Sequence, residues 1–251
     1  MPTRLATPFA DGNYRFVPGV FPYSGGVGAD HGYAIERARF RAPVPLAEGF
    51  ARIAAHLQAR ERPLTAFCAA ELRSPAPFTE AGFRAFNTEY VDALKRWNIF
   101  RNGVNPVARS NVCPEFDAPA EPSFFAFAYT VPAPGMRGDF CVAGSGETPE
   151  GKPNYRDFIV RRGDISPGAM AEKARFVLAE MERRMAILGA TWAQTTAAHI
   201  YTIHDIHALI AEEFAPRGLL RAGISWQVCR PPVVDLEFEM DCRGVATELV
   251  I

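Results

Sequence analysis

The hydrophobic pattern along the chain occurs twice. Two long stretches follow the 3.6-residue period of an amphipathic helix. In Leu46–Ala59 the residues Phe50, Ile53, Ala54 and Leu57 share a face; in Ala169–Gly189, Ala174, Leu178, Met181, Met185 and Leu188 do. A short β-like run follows each, Leu64–Leu72 and Trp192–Tyr201, and then a second amphipathic helix. Phe83, Phe86, Tyr90, Leu94 and Trp97 line the first of these second helices; Ile206, Leu209, Ile210 and Phe214 line the other. Two strands close each half: Ser110–Pro114 with Ser123–Val131, and Gly223–Cys229 with Val233–Cys242. Two strand-like segments open each: Tyr14–Val27 with Tyr33–Phe40, and Gly138–Gly144 with Asp157–Arg162.

The order ββ–α–β–α–ββ therefore runs through the chain twice. It predicts an α/β (α+β) fold of two tandem units, each a mixed sheet with two helices on one face. The turn-rich stretch Pro132-Ala133-Pro134-Gly135 marks the join, dividing the chain into 1–132 and 133–251.

Composition narrows the partners more than the fold. A chain of 251 residues buries about three quarters of its unfolded surface and needs no covalent staples. With a net charge of −1 and no polybasic run, nucleic acid and anionic membranes are excluded as expected partners. No apolar run approaches the length of a membrane span, and the first residues carry no long apolar core of a signal peptide. The five cysteines, Cys68, Cys113, Cys141, Cys229 and Cys242, form no CxxC pair and fit a reducing, cytoplasmic setting. The 21 prolines are scattered, so no Pro-rich disordered tract is expected.

Short motifs in order carry a resemblance. Phe86-Asn87-Thr88-Glu89-Tyr90, followed by Pro106-Val107-Ala108-Arg109-Ser110-Asn111-Val112, resembles the Rid (YjgF) superfamily. Those proteins carry Asn-x-x-Tyr on the second helix and Pro-x-Arg-Ser-x-Val leading into the next strand. Val233–Glu239 is similar to their final strand, Val142–Glu147 to an early strand ending in Ser-Gly-Gln, and Phe21–Val27 to their Pro-Tyr-(Ser/Val)-Gln-Gly segment. Taken as two Rid/chorismate-mutase-like copies, the resemblance spans nearly the whole chain. It implies hydrolysis of an enamine or imine, without metal or organic cofactor, of the kind aminomuconate deaminases perform in aromatic degradation.

The site residues of such a unit are divided here. The first half keeps Arg109, with one extra residue after the proline, but its last strand, Ser123–Tyr129, has no glutamate. The second half keeps Ser145 and Glu237, but Gly223 falls where the arginine belongs. The resemblance assigns Arg109 to clamp a substrate carboxylate through a bidentate fork, a pair worth about 1.5–3 kcal/mol. It assigns Glu237 to positioning water and carrying its proton, with Glu239 as the alternative. Strand alternation would aim Asp235, Glu237, Glu239 and Asp241 one way, a pattern that also suits a plain solvated face. Tyr23, Ser110, Ser145, Gly146 and Cys229 complete the expected substrate-binding set.

Three other features have plainer readings. His199, His204 and His207 lie close in sequence and read as pocket-edge imidazoles at a helix start rather than as metal ligands. Gly144-Ser145-Gly146 lacks the spacing of a nucleophile elbow. Cys229-Arg230-Pro231-Pro232 is similar to a Cys-Arg before the final strand of chorismatases, which keeps open hydrolysis of a carboxylated enol ether; a non-catalytic Rid-type binder is the third reading.

Rid units pack around a threefold axis with sites in the clefts between neighbours. Two units per chain cannot close such a ring, so a homotrimer is expected. A cleft joining a first half to a second holds Arg109 with Ser145 and Glu237. The opposite pairing holds Gly223 with Phe125 or Phe127 and should be inactive, leaving at most one site per chain. The motifs leave open whether one chain or two supply that site.

Overall fold

The computed structural model describes residues 5–135 and 138–251. In chain order its elements are β1 (Thr7–Phe9), β2 (Tyr14–Val17), β3 (Gly26–Ala29), β4 (Tyr33–Pro45), α1 (Leu46–Ala59), β5 (Phe67–Arg73), α2 (Glu80–Arg96), β6 (Ala108–Pro114) and β7 (Ser123–Pro132). The second half follows with β8 (Phe140–Gly146), α3 (Pro167–Leu188), β9 (Ala197–Tyr201), α4 (His207–Leu209), β10 (Ser225–Gln227), β11 (Cys229–Arg230), β12 (Glu239–Gly244) and β13 (Thr247–Val250).

Two mixed sheets form. One has the order β11-β6-β5-β7-β4-β13, the other β10-β9-β12-β8-β3-β2-β1. Their central four strands have one topology. In each, the strand after the first helix lies parallel to the strand after the second, β5 to β6 and β9 to β10. On its other side it lies antiparallel to the last strand of its half, β7 or β12, which pairs antiparallel with the first, β4 or β8. The outer strands cross over. β2 and β3, from the start of the chain, extend the second half's sheet through β8, while β13, from its end, lies parallel to β4 in the first half's sheet.

Helix periodicity explains the outer layers. α1 and α2 bury Phe50, Ile53, Leu57, Phe83, Phe86, Tyr90 and Leu94 on one sheet, and α3 buries Ala174, Leu178, Met181 and Met185 on the other. Thr79 and Ser166 cap α2 and α3 by accepting from Gly82 N and Ala169 N, and Gly189 ends α3 in a left-handed turn. The bare faces of the two sheets meet through a layer rich in small residues, including Cys68, Ala69, Ala108, Ala128, Cys141 and Ala143.

Tyr14–Val27 is two strands, β2 and β3, paired antiparallel, and Gly223–Cys229 divides between β10 and β11 in different sheets. Three further expected elements differ. Asp157–Arg162 is a run of turns, not a strand: Val160 N donates to the Glu147 carbonyl, and Arg161 and Gly163 take positive φ. The second helix of the second half is one α-turn continued by a π-turn (Ile210–Phe214) and a 3-10 turn, because Pro216 has no N–H for a carbonyl four residues back. The last strand begins at Glu239 rather than Val233. Asp235 turns the chain at φ 74°, and the Glu237 and Phe238 amides donate to the Glu147 carboxylate instead of to a neighbouring strand. Glu147 is itself fully buried against Lys173, an ion pair 3.1 Å long.

Candidate active site

The earlier start of the turn decides which acid reaches the interior. Asp235 pairs with Arg162 at the surface, and Glu237 pairs with His204 at 2.8 Å. The four acids therefore do not share a face. Glu239 and Asp241, on β12, point between the sheets and are 4% exposed each, so the solvated-face reading fails for both. Opposite them β8 is bulged: Met240 faces Ser145 and Cys242 faces Val142, so that Ala143 and Gly144 of β8 together oppose Asp241 of β12. A Cβ at Gly144 in this bulge would collide with Glu239 Oε1, so glycine there makes room for the carboxylate.

Arg109 arrives from the other half. On β6, Arg109 and Asn111 share the face under α2, while Ser110 turns to the inter-sheet layer and donates to Asp241 Oδ2 at 2.5 Å. The Arg109 guanidinium carbon sits 4.9 Å from the Tyr90 ring centre, with Tyr23, Phe83 and Phe86 at 5.2–5.6 Å. The loop carrying Tyr23 is clipped to the strand's start: Asn105 Nδ2 donates to the Pro22 carbonyl, and Ser24 N donates to Val107 O. This aromatic surround stabilises a cation without neutralising it. Among the described residues no carboxylate pairs with Arg109, and its Nη1 is buried without a hydrogen-bond partner.

Arg109, Asn111 and Glu239 border one cavity with Tyr23, Ser145, Gly146, Thr148, Tyr155 and Arg184. Thr148 Oγ1 and Asn111 Nδ2, like Arg109 Nη1, are buried there without partners. Unsatisfied buried donors are costly, and three on one cavity mark a place for an acceptor-rich ligand. Burial raises the Glu239 carboxyl well above the usual carboxylate range, and the neighbouring Asp241 charge adds to this against the pull of Arg109. Burial would raise Asp241 too, but His199, 3.1 Å away, and the Ser110 hydroxyl hold it low. Burial also lowers the Arg109 pKa. Arg184 is bonded to the Ala143 and Gly144 carbonyls, Glu150 and Glu180, so it buttresses the bulge and is not a free clamp.

The structure thus brings Arg109, Tyr23, Ser145 and Gly146 to one cavity with Glu239. Glu237, Ser110 and Cys229 lie outside its lining. Cys229 is buried in β11, where burial pushes its thiol up to about 11, and the adjacent Arg230 pairs with Glu115. The three histidines go to separate partners: His199 to Asp241, His204 to Glu237, His207 to Asp205. Asn111, Thr148 and Gly144 were not among the expected residues. Period-two alternation from Arg109 reaches Asn111; nothing local to the sequence singles out Thr148.

The chain is an α/β protein of duplicated sheet-and-helix units, with a buried arginine that no carboxylate pairs among the described residues. A chorismatase crystal structure covers 88% of this chain and 77% of its own at a TM-score of 0.53 and 13% identity, a likeness of fold. The YjgF protein of E. coli aligns with 44% of this chain and 82% of its own, with a TM-score of 0.32 and 16% identity. The 2-aminomuconate deaminase CnbZ family model matches residues 6–249. The 2-amino-5-chloromuconate deaminase of Comamonas testosteroni is 49% identical over 248 residues, covering 98% of this chain and 99% of that protein. The chain belongs to the CnbZ family of 2-aminomuconate deaminases and is an enzyme acting on a C–N bond, the aminomuconate-type deaminase expected from its motifs.

Proposed function

We propose that this enzyme hydrolyses 2-aminomuconate or a ring-substituted analogue, releasing ammonia in the cytoplasmic breakdown of aromatic compounds. The observation that carries the reading is Arg109: a buried guanidinium without an acid partner among the described residues, on the same cavity as a carboxyl whose pKa burial raises. The substrate carboxylate next to the amine-bearing carbon takes the fork of Arg109, with Asn111 and Thr148 as further donors. Glu239 gives its proton to the enamine carbon, producing an iminium. As a carboxylate it then accepts a proton from the water that adds to the iminium carbon. Returning that proton to nitrogen lets the C–N bond break as Glu239 takes the proton of the new hydroxyl, leaving a carbonyl and ammonia. Every proton is accounted for, and the cycle ends with Glu239 protonated as it began. Tyr23 and Ser145 border the bound substrate.

The assembly we propose is a homotrimer. Two units per chain leave a threefold ring unclosed, and three chains supplying six units are the simplest closed set; light scattering should give three times the 27.6 kDa chain mass. The activity is tested by supplying 2-aminomuconate to the purified protein and measuring ammonia, expected in a one-to-one ratio with substrate consumed. Release of pyruvate from chorismate, with no ammonia from 2-aminomuconate, would overturn the reading.

A further inference from the structure

Beside the inner cavity lies a wider cleft, and the two share Tyr23, Phe83, Glu150 and Tyr155 as a common wall. One side of the cleft is α2, which presents Glu80, Arg84 and Asn87; the other is the loop 149–155, which presents Glu150 and Lys152. Its acids are already engaged. Glu80 Oε1 accepts from the Tyr155 and Arg156 amides, and Glu150 pairs with Arg184 at 3.0 Å. Its cations are not: among the described residues neither Arg84 nor Lys152 makes an ion pair, and Lys152 Nζ lies 5.0 Å from the centre of the Phe158 ring. The cleft thus holds two unneutralised cations next to the cavity to which the deaminase reading assigns one carboxylate.

We propose that this cleft is a second anion subsite, in which Arg84 and Lys152 take the far carboxylate of a rigid six-carbon diacid. The inference rests on the deaminase reading for which carboxylate enters first, and it adds selection for substrates charged at both ends. A conjugated chain held at one end by Arg109 cannot fold back, so its other end must leave the inner cavity. The shared wall of Tyr23, Phe83 and Tyr155 supplies flat aromatic surface for the diene between the two ends.

The test compares two unreactive ligands of one carbon skeleton, cis,cis-muconate and the corresponding hexadienoate with a methyl group in place of the far carboxylate. Calorimetry on the wild type should show muconate binding about tenfold more tightly, the scale of two partly exposed charge pairs. The Arg84→Ala/Lys152→Ala variant, altered only at exposed positions, should lose that preference while binding the monoacid as before. Equal affinities in the wild type, or a preference that survives in the variant, would overturn the subsite. Because neither ligand is turned over, a wild type that prefers the diacid yet releases no ammonia from 2-aminomuconate would overturn the deaminase reading and leave the subsite standing.

Discussion

The two halves of this chain share the order of their four central strands and differ in what those strands carry. In the first, β6 brings a cation and its companion amide, Arg109 and Asn111, under α2. The matching strand of the second half, β10, is three residues long, and Gly223 before it lies in an exposed turn at φ 78° with no neighbour within 4 Å of where a Cβ would be. In the second half, β12 brings Glu239 and Asp241 inward; in the first, β7 carries Phe124, Phe127 and Tyr129 into the hydrophobic core. The lesson is that facing sheets let neither half carry the whole set: Arg109, the proposed clamp, comes from one, and Glu239, the proposed proton carrier, from the other.

The sharpest way to break this comparison is to remove the carboxyl. Glu239→Gln should lower kcat by about a thousandfold, as loss of a general acid–base group does, whereas Glu237→Gln should change it less than about threefold. The reverse ranking would return the proton to the surface acid. The same variant makes a stability prediction of opposite sign. A carboxyl whose folded pKa exceeds its unfolded value binds its proton more tightly when folded, so stability falls as pH rises through the folded value. Glu239→Gln should therefore melt higher than wild type at neutral pH, and the difference should vanish below about pH 4, where the unfolded carboxyl is also protonated. A lower melting temperature at pH 7 would mean that the carboxylate is held charged.

Next in size is the cation. Arg109→Lys keeps the charge and loses the fork; kcat/KM should fall about a hundredfold with little change in melting temperature. Mixing Arg109→Ala chains with Glu239→Gln chains should regain no activity, because both residues come from one chain. Recovery in the mixture would place the working cleft between chains. The smallest expected effect is at the bulge. Gly144→Ala should push Glu239 aside and cost about tenfold in kcat, with KM nearly unchanged because Arg109 is untouched.

What the sequence made legible follows physical range. Periodicity of 3.6 located α1, α2 and α3 because burial on one sheet face is a local pattern, and the repeated order of elements revealed the duplication. Arg109 was legible as a motif. The choice of Glu239 over Glu237 was not, since it depends on Glu147, 90 positions earlier, capturing two amides and delaying the strand. Alternation counted from Val233 places all four acids on one face; the turn at Asp235 breaks that register. The apportioning of the three histidines is also long-range, because each partner's position is set by sheet pairing. The crossing of the outer strands left no mark in local pattern at all.

That crossing bears on how such a chain could evolve. A duplicated gene can ordinarily be trimmed back, since each copy still encodes a complete folding unit. Here β8 takes its neighbour β3 from the other copy, and β4 takes β13. A chain cut after residue 132 would leave an open edge on β4 and strand the first three strands without a sheet to join. Once the outer strands had changed places, loss of either copy removed part of the other, and the two became a single heritable unit.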